Sequence, residues 1–448
     1  MSYIPSTDAD RKEMMKAVGV SSIEELLSVV PHEVRLVRPL TLPPALSEME
    51  LGDLMADMAS RNLDADQGLS FLGAGMYDHY VPSAVKHLAG RSEYLTAYTP
   101  YQPEVSQGTL QGIYEYQTMV CELTGLDVAN ASMYDGASAT AEAVMMACTA
   151  TRRSEVIMAG SMHPQYAGTV HTYSHGPGIT VRETTPHEGA IDPDDVRKVI
   201  SDKTACVIVQ HPNFFGGLER VAELEAVAHE AGALLVMIVD PISLGILKSP
   251  GEYGADIAIG EGQGLGNHMS YGGPALGIMA VKESFVRRLP GRIAGKTVDS
   301  QGRRGFVLTL QAREQHIRRE KATSNICTSQ QLNALMATIY LSLIGKTGLR
   351  KVADLCLQKS HYAAERISAL PGYSLRFNTP FFKEFVVQTP VDPGRIVREL
   401  AHQEIHAGLD LSRFPDLNLD DCLLIAITER RTKGQIDRFV DALASLEP

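Results

Sequence analysis

Short apolar runs alternate with helical patterns through the middle of the chain. Six runs between residues 155 and 281 have the length and composition of buried strands: EVIMAG, ITVRETT, ACVIVQ, ALLVMIVD, DIAIGEG and ALGIMAV. Helical patterns such as DPDDVRKVIS and LERVAELEAVAHEAG lie between some of them. Near-continuous apolar strands separated by helices predict a mostly parallel sheet that is covered by helices on both faces.

Different patterns flank this central zone. The first 70 residues carry the helical patterns SSIEELLSVV, with Ser21 predicted as its N-cap, and LSEMELGDLMADMASRN. They predict an arm with little core of its own, which must lie against another surface. Beyond residue 325, long helical patterns precede the strand-like EFVVQTP and CLLIAIT. We therefore predict a helical N-terminal arm at 1–70, a large α/β domain at 71–325 and a small α+β domain at 326–448.

Composition and charge limit the classes of protein. The chain has 448 residues, 44% of them hydrophobic, and a net charge of -12 that disfavours nucleic acid and anionic membranes as partners. Its six cysteines are scattered without a CxxC pair, which is typical of a reduced compartment. The N-terminus has no signal pattern, and the apolar run ALLVMIV is too short to span a bilayer. The sequence predicts a cytoplasmic protein.

Candidate binding residues follow the predicted strands, at the sheet edge where open α/β folds bind ligands. Gly136 and Ser138 open an alanine-rich helix, whose free backbone amides suit a phosphate. His163 follows EVIMAG, where an imidazole can stack on a flat ring. Asp240 follows ALLVMIV and suits the protonated ring nitrogen of pyridoxal phosphate. This order along the chain, followed by the turn in DIAIGEGQGLG, resembles that of the fold-type I pyridoxal-phosphate enzymes.

Each of these residues alone also has a structural interpretation. Small residues after a glycine open many helices, and His163 before a proline suits a helix cap. Asp240 before Pro241 suits the end of a strand. The glycines of residues 260–266 do not form G-x-G-x-x-G, and the histidines lack metal-ligand spacing, so neither a dinucleotide site nor a metal is predicted.

Gln263 stands in the turn where an enzyme of this class has the lysine that forms an imine with the cofactor. A glutamine side chain cannot form that bond. Lys248 leaves no room for the intervening strand, Lys282 lies beyond that strand, and Lys321 lies outside the strand-end order. The sequence predicts that this chain does not bind its own pyridoxal phosphate covalently. An autonomous lyase or transferase that uses Lys321 or another lysine is the alternative.

Three long runs resemble the glycine decarboxylase P-protein family of the glycine cleavage system. They are TAYTPYQPEVSQGTLQGIYEYQTMVCELTGLDVANASMYDGASATAEA (96–143), DPISLG with PGEYGADIAIGEGQ (240–263), and REQHIRREKATSNICT (313–328). The resemblance extends from the arm to the C-terminus and is, more narrowly, to subunit 1 of the two-chain form. It implies a fold-type I pyridoxal-phosphate-transferase-like fold and a subunit of an oxidoreductase-class heterotetramer.

The resemblance also implies the activity and the partners. Subunit 2 carries the lysine and the pyridoxal phosphate, and the complex decarboxylates glycine and transfers the aminomethyl group to the lipoyl arm of the H-protein. This chain then contributes architecture and pocket walls and is inactive alone. Its vestigial cofactor pocket consists of Gly136, Ser138, His163, Asp240 and Gln263. A non-catalytic scaffold or ligand sensor is a further alternative.

Two segments are candidates for partner contacts. Tyr98 and Tyr101 in YTPYQPE either donate hydrogen bonds into the partner's pocket or pack at the subunit interface. A basic run either attracts an acidic carrier protein and lines the lipoyl path, or is a solvated helix face. Its members are Arg313, His316, Arg318, Arg319 and Lys321.

Overall fold

The computed structural model describes residues 5–446 and divides into two compact units. The first unit ends at Asn62 and the second begins at Leu63. No described residue of the first unit is buried. Eighteen large apolar side chains between Met14 and Met58 are exposed there. The described part of the first unit is therefore helical and has no buried core, and the predicted division at residues 70 and 325 stays a prediction.

The described residues form fourteen α-helices. They are α1 Asp8–Val18, α2 Ile23–Leu26, α3 Glu48–Ser60, α4 Ser83–Ala89, α5 Ser92–Leu95, α6 Gln107–Thr124, α7 Gly136–Thr151, α8 Pro164–His175, α9 Pro193–Val199, α10 Val221–Glu230, α11 Gln315–Arg318, α12 Gln331–Ser368, α13 Pro393–Ala401 and α14 Lys433–Ala444. The predicted N-cap of α2 is wrong by one residue. The hydroxyl of Ser22 accepts from the amide of Glu25, whereas the amide and hydroxyl of Ser21 donate to the Glu25 carboxylate.

The described residues also form fifteen strands. They are β1 Leu69–Ser70, β2 Val128–Ala129, β3 Glu155–Met158, β4 Thr180–Glu183, β5 Thr204–His211, β6 Leu234–Val239, β7 Ile257–Glu261, β8 Gly277–Val281, β9 Ile293–Val298, β10 Arg304–Thr309, β11 Ser374–Leu375, β12 Glu384–Gln388, β13 Ile405–His406, β14 Leu409–Asp410 and β15 Cys422–Ala426. Seven of them form one sheet in the order β2-β8-β7-β6-β5-β3-β4. Strands β3 to β7 are parallel, and β8 is antiparallel to both neighbours. The predicted mostly parallel sheet is confirmed.

Helices cover both faces of this sheet because its central strands are apolar at successive positions. Ile208 and Ile238 pack in a core that α7 and α8 complete. Val207 and Met237 pack on the other side in a core with α9 and α10. Successive side chains of a strand point to opposite faces, so one apolar run fills both cores. This packing fixes the carboxyl ends of the strands at one edge.

The long helix α12 is broken at Gly345, whose φ of 57° and ψ of -175° are not helical. The two helical patterns that the sequence predicts lie on either side of this break. Of the helices in the described part of the chain, α12 alone has the length and composition to cross a membrane. That is weak evidence, because a core helix passes the same test, and Tyr340 and Cys356 of α12 are buried in a hydrophobic core of the second unit.

A second sheet, in the order β11-β12-β15-β14, is antiparallel and packs with α13, α14 and the end of α12. The segment after residue 68 lies against it. Strand β1 pairs with β13, and the ring of Phe71 stacks on that of Phe439 with centroids 4.1 Å apart. The same segment continues to His79, so it connects the small sheet with the edge of the large one.

Candidate functional site

A pocket lies at the carboxyl ends of the parallel strands and contains two of the predicted residues, His163 and Asp240. It has a cavity volume of about 40 Å³. The pocket is therefore nearly filled by the chain's own side chains.

At one end of the pocket, carboxylates bind the N-terminus of α7. Asp135 is its N-cap and accepts from the amide of Ser138 at 2.8 Å. The amide of Gly136 donates to Glu261 Oε2 at 3.1 Å. Gln263 and Leu276 donate their amides to the other oxygen of Glu261, at 3.0 and 2.8 Å. Gly136 and Ser138 thus lie where they were predicted, but their amides already have protein acceptors.

Two aromatic rings cover the same region. A Cβ atom on Gly136 would lie 2.1 Å from the hydroxyl of Tyr166, so only glycine fits beneath that phenol. The Tyr166 ring stacks on the His163 imidazole with centroids 5.0 Å apart. His163 also caps α8 by accepting from the Gln165 amide, and its Nε2 lies 2.9 Å from the carbonyl oxygen of Ala74. Burial lowers the pKa of His163, which favours the neutral ring that these two bonds require.

At the other end, Asp240 forms an ion pair with Lys383. The ammonium Nζ lies 2.7 Å from Asp240 Oδ2, and Lys383 is only 2% exposed. Nζ also lies 2.9 Å from Nε2 of His79 and 3.4 Å from the ring centroid of Tyr77. An aromatic face attracts a cation, so the ammonium has three favourable contacts in a buried place.

The ionic contacts continue through His79 to the end of β15. Nδ1 of His79 lies 2.6 Å from Glu429 Oε2. Because the Lys383 ammonium donates to Nε2, the proton of a neutral ring is on Nδ1 and is donated to Glu429. A buried row of groups thus runs from Asp240 through Lys383 and His79 to Glu429. It joins the edge of the large sheet to the small sheet.

Glu384 lies beside this row and is also buried. Its carboxylate accepts from the hydroxyl of Tyr77 at 2.5 Å and from the amide of Ala74 at 2.6 Å. Burial nevertheless raises the pKa of Glu384 to about 7, with Lys383 acting in the opposite direction and Asp240 in the same one. Protonation of this carboxyl group therefore favours the folded chain.

We expect the Glu384→Gln variant to reduce the pH dependence of stability. An acid whose pKa rises from about 4.5 to about 7 on folding stabilises the fold fully below pH 4.5 and loses that contribution as pH rises through 7. The contribution is of the order of 1–3 kcal/mol. Urea unfolding at pH 5 and pH 8 measures it, with the exposed Glu33→Gln as control. Equal pH dependence in wild type and Glu384→Gln would contradict the assignment.

His79, Cys356 and Glu429 also resemble a set of metal ligands. Their ligand atoms lie within 4.8 Å of one another. Both ring nitrogens of His79 already have partners, and the ammonium groups of Lys383 and Lys359 contact His79 and the Glu429 carbonyl oxygen. These two ammonium groups would repel a divalent cation bound in the same cluster. We interpret the cluster as part of the buried ionic row.

Gln263 fixes the turn after β7. Its side chain is 2% exposed; the carbonyl oxygen accepts from the Tyr77 amide at 2.9 Å, and the amide nitrogen donates to the carbonyl oxygen of Asn267 at 2.7 Å. Both polar ends are therefore used within the chain. Gln263 is not among the residues that line the pocket; it accepts from the backbone amide of Tyr77, whose ring contacts the ammonium of Lys383.

The alternative lysines considered from the sequence do not line the pocket. Lys282 Nζ lies 2.7 Å from Asp256, and Lys248 Nζ lies over the Tyr253 ring. Lys321 is exposed. Among the described residues that line the pocket, the lysine is Lys383, whose ammonium is on Asp240.

The tyrosines of residues 96–104 differ in their surroundings. Tyr98 is 84% exposed. The hydroxyl of Tyr101 accepts from Nη2 of the buried Arg292 at 3.2 Å, and the guanidinium lies over its ring. Tyr101 also packs edge-on against His316, so the structure brings together one member of each candidate surface segment.

The basic run separates into a structural part and an exposed part. The guanidinium of Arg313 donates to the carbonyl oxygens of Leu310, Leu289 and Gly291, which ties its own turn to the loop before β9. Arg313 is half-buried, and its role in a carrier-protein surface stays a prediction. The other four members, His316, Arg318, Arg319 and Lys321, are exposed.

The pocket residues do not fit pyridoxal phosphate. The amide of Gly136 has a carboxylate acceptor, the ring of His163 is covered by Tyr166, and Asp240 already pairs with an ammonium.

The sequence analysis missed the residues that fill the pocket. Glu261 stands two positions before Gln263 in the same glycine-rich run, and a carboxylate there was the available signal. Lys383 directly precedes the buried strand β12 and Glu384 opens it, and two charged residues before an apolar run were a second signal. Tyr77, His79 and Tyr166 had no recognisable pattern in the sequence.

The sheet, the strand-end residues and the appended small sheet define the class: a pyridoxal-phosphate-transferase-like fold of type I whose strand-end pocket is lined by the chain's own ionic side chains. Comparison with solved structures agrees. A C-DES variant with glycine covalently linked to its pyridoxal-phosphate cofactor has a TM-score of 0.60 and 17% identity, and the alignment covers 82% of this chain and 94% of that chain. At this identity the likeness shows the fold alone.

Other comparisons show the family. The family model described as glycine cleavage system P-protein matches residues 1–443. A relative from Desulforamulus reducens, named probable glycine dehydrogenase (decarboxylating) subunit 1, is 55% identical over 447 residues and the alignment covers 100% of both chains. A crystal structure of glycine decarboxylase (P-protein) of the glycine cleavage system, in inhibitor-bound form, has a TM-score of 0.90 and 43% identity over 99% of each chain. The chain belongs to the glycine cleavage system P-protein family, and the predicted resemblance and fold class are confirmed.

Proposed function

We propose that this chain is subunit 1 of a two-chain glycine dehydrogenase (decarboxylating, aminomethyl-transferring). Gln263 carries the proposal, because a side chain without an amine stands at the cofactor turn of a chain that matches relatives named subunit 1 over its full length. In this proposal, the lysine and the pyridoxal phosphate belong to subunit 2. The complex decarboxylates glycine and transfers the aminomethyl group to the lipoyl arm of the H-protein.

Residues 96–104 are the part of this chain that we propose reaches the partner's pocket. Arg292 fixes Tyr101 by donating to its oxygen, which leaves the phenolic proton free to be donated outward. Tyr98 is exposed and has its hydroxyl at the surface. These two donors suit a carboxylate or phosphate group, and their rings exclude water from such a contact.

We propose that Arg318, Arg319 and Lys321 attract the H-protein or line the path of its lipoyl arm. All three are exposed and lie within a few residues of His316, which contacts Tyr101. The chain as a whole has a net charge of -12, so an acidic carrier is attracted to this local positive surface more than to the rest of the chain.

We further propose a heterotetramer in the cytoplasm. All six cysteines are free, which agrees with a reducing compartment. The exposed apolar side chains of the arm suit a large interface with another subunit. Mass photometry of the reconstituted complex distinguishes four chains from two.

Reconstitution tests the proposed activity. We expect glycine-dependent release of carbon dioxide when this chain, the lysine-bearing subunit and lipoylated H-protein are mixed, and negligible release when either subunit is omitted. Turnover by this chain without subunit 2 would support the autonomous alternative. An activity of subunit 2 that this chain does not raise would support the scaffold or sensor alternative.

The same assay tests the partner-facing tyrosines. Tyr101→Phe keeps the ring on Arg292 but removes the donor, so we expect a loss of about tenfold or more in kcat/KM, as for a hydrogen bond to a charged group. Tyr253→Phe, a tyrosine outside residues 96–104, is the control. Unchanged kinetics of Tyr101→Phe would leave these tyrosines as packing residues of the interface.

A further inference from the structure

We propose that the chain's own side chains occupy the cofactor pocket as internal substitutes, with Glu261 in the place of the phosphate and Lys383 in the place of the protonated ring nitrogen. The inference rests on the fold and the pocket and is independent of the glycine reaction. It gives Glu261 and Lys383 a role in the pocket, which the absence of a lysine at position 263 does not explain.

The first substitution is at the N-terminus of α7. Such a terminus binds an anion through its free amides and its dipole. Here the carboxylate of Glu261 accepts from Gly136, and that of Asp135 accepts from Ser138. A phosphate at this place would meet two carboxylates and would have to displace three backbone donors from Glu261. Glu261 therefore satisfies the helix and excludes the phosphate at the same time.

The second substitution is at Asp240. A carboxylate at this strand end pairs with a protonated ring nitrogen when a pyridoxal group is held by the protein. In this chain the Lys383 ammonium lies 2.7 Å from Asp240 Oδ2 and provides the same positive charge. Contacts with His79 and the ring of Tyr77 hold the ammonium there. Because Lys383 comes from the small sheet, the pair also fixes that sheet against the edge of the large one.

The third feature concerns the flat ring of the cofactor. Tyr166 stacks on His163, and its hydroxyl lies against Gly136, so this one residue covers both the stacking face and the helix terminus. Glu261, the Lys383 ammonium and the Tyr166 ring thus take the places of the phosphate, the protonated ring nitrogen and the flat ring of the cofactor. These side chains occupy the pocket when no ligand is bound.

The consequence is that returning a lysine to the turn does not restore binding. Gln263→Lys supplies an amine, but Glu261 and Lys383 still fill the phosphate and ring positions. Binding is expected when the two ionic groups, Glu261 and Lys383, are removed together with the glutamine. The triple variant Gln263→Lys, Glu261→Ser, Lys383→Met removes both ionic groups and introduces the amine.

The experiment incubates full-length wild type, Gln263→Lys and the triple variant with pyridoxal 5′-phosphate. The introduced amine attacks the aldehyde carbon, water leaves, and borohydride reduces the resulting C=N bond to a stable secondary amine. Peptide mapping then measures the adduct at residue 263. We expect at least tenfold more adduct there in the triple variant than in Gln263→Lys. Equal labelling of the two, or none in a triple variant that melts cooperatively like wild type, would overturn the proposal.

A second measurement on the wild type remains informative if the triple variant does not fold. Acylation of amines in the native chain should modify Lys383 at least tenfold more slowly than the exposed Lys321. Labelling of Lys383 at the rate of Lys321 would contradict its place on Asp240. A wild-type adduct of pyridoxal 5′-phosphate on Lys383 would also overturn the proposal, because the lysine would then be a cofactor ligand.

Discussion

Replacing Lys383 with methionine is expected to lower the free energy of unfolding by about 3–5 kcal/mol. The substitution keeps an apolar stem of similar length but leaves the largely buried Asp240 carboxylate without its cation. It also removes the donor to Nε2 of His79. Urea unfolding of the full chain, monitored by circular dichroism, measures the loss.

Lys198 provides a matched control for this experiment. Its Nζ also lies 2.7 Å from a carboxylate, that of Asp195, but the lysine side chain is 72% exposed. Lys198→Met is therefore expected to have a much smaller effect, because water solvates the remaining charge. Adding Asp240→Asn to Lys383→Met should recover part of the lost stability, since the second change removes the unpaired charge. Equal effects of Lys383→Met and Lys198→Met would contradict the assignment of a buried pair.

Aspartate in place of Val29 or Val37 is expected to weaken binding of subunit 2 by about 2 kcal/mol or more, roughly thirtyfold in Kd. These side chains are 85% and 78% exposed in the arm, so the substitutions should leave the melting temperature of the isolated chain unchanged. In an interface, the same change buries an unpaired charge in place of an apolar contact. Titration of one labelled subunit with the other measures Kd.

The control for the arm is Val298→Asp. Val298 is 64% exposed on β9 and lies outside the arm. It receives the same change in charge, so it separates a local interface effect from a general electrostatic one. If Val298→Asp weakened binding as much as Val37→Asp, or if neither arm variant weakened it, the arm would not be the interface proposed for subunit 2.

The central sheet was accessible from the sequence because its signal is local. Each of the six apolar runs that were predicted as strands contributes a strand to the seven-stranded sheet. Burial on both faces requires apolar residues at successive positions, and this leaves a pattern within a few residues. The antiparallel direction of β8 was not accessible, because direction depends on the path of the chain between β7 and β8.

The order of the strand-end residues was also local. Asp240 directly follows β6 and His163 lies in the loop after β3, and parallel strands bring such residues to one edge. What these side chains contact there was not local. The partner of Asp240 is Lys383, and the acceptor for the Gly136 amide is Glu261. The two members of each pair lie far apart in the chain, so they leave no pattern at helix or strand spacing in the sequence.

The sequence by itself determined the class of fold, the family and the absence of a Schiff-base amine at position 263. These follow from apolar periodicity, from long matching runs and from the chemistry of a glutamine side chain. The tertiary structure decided which side chains line the pocket. Whether Asp240 faces a ligand or a lysine depends on where the small sheet packs, because the packing of β12 buries the ammonium of Lys383 beside it. A buried carboxylate must be paired, and only the fold supplies the partner.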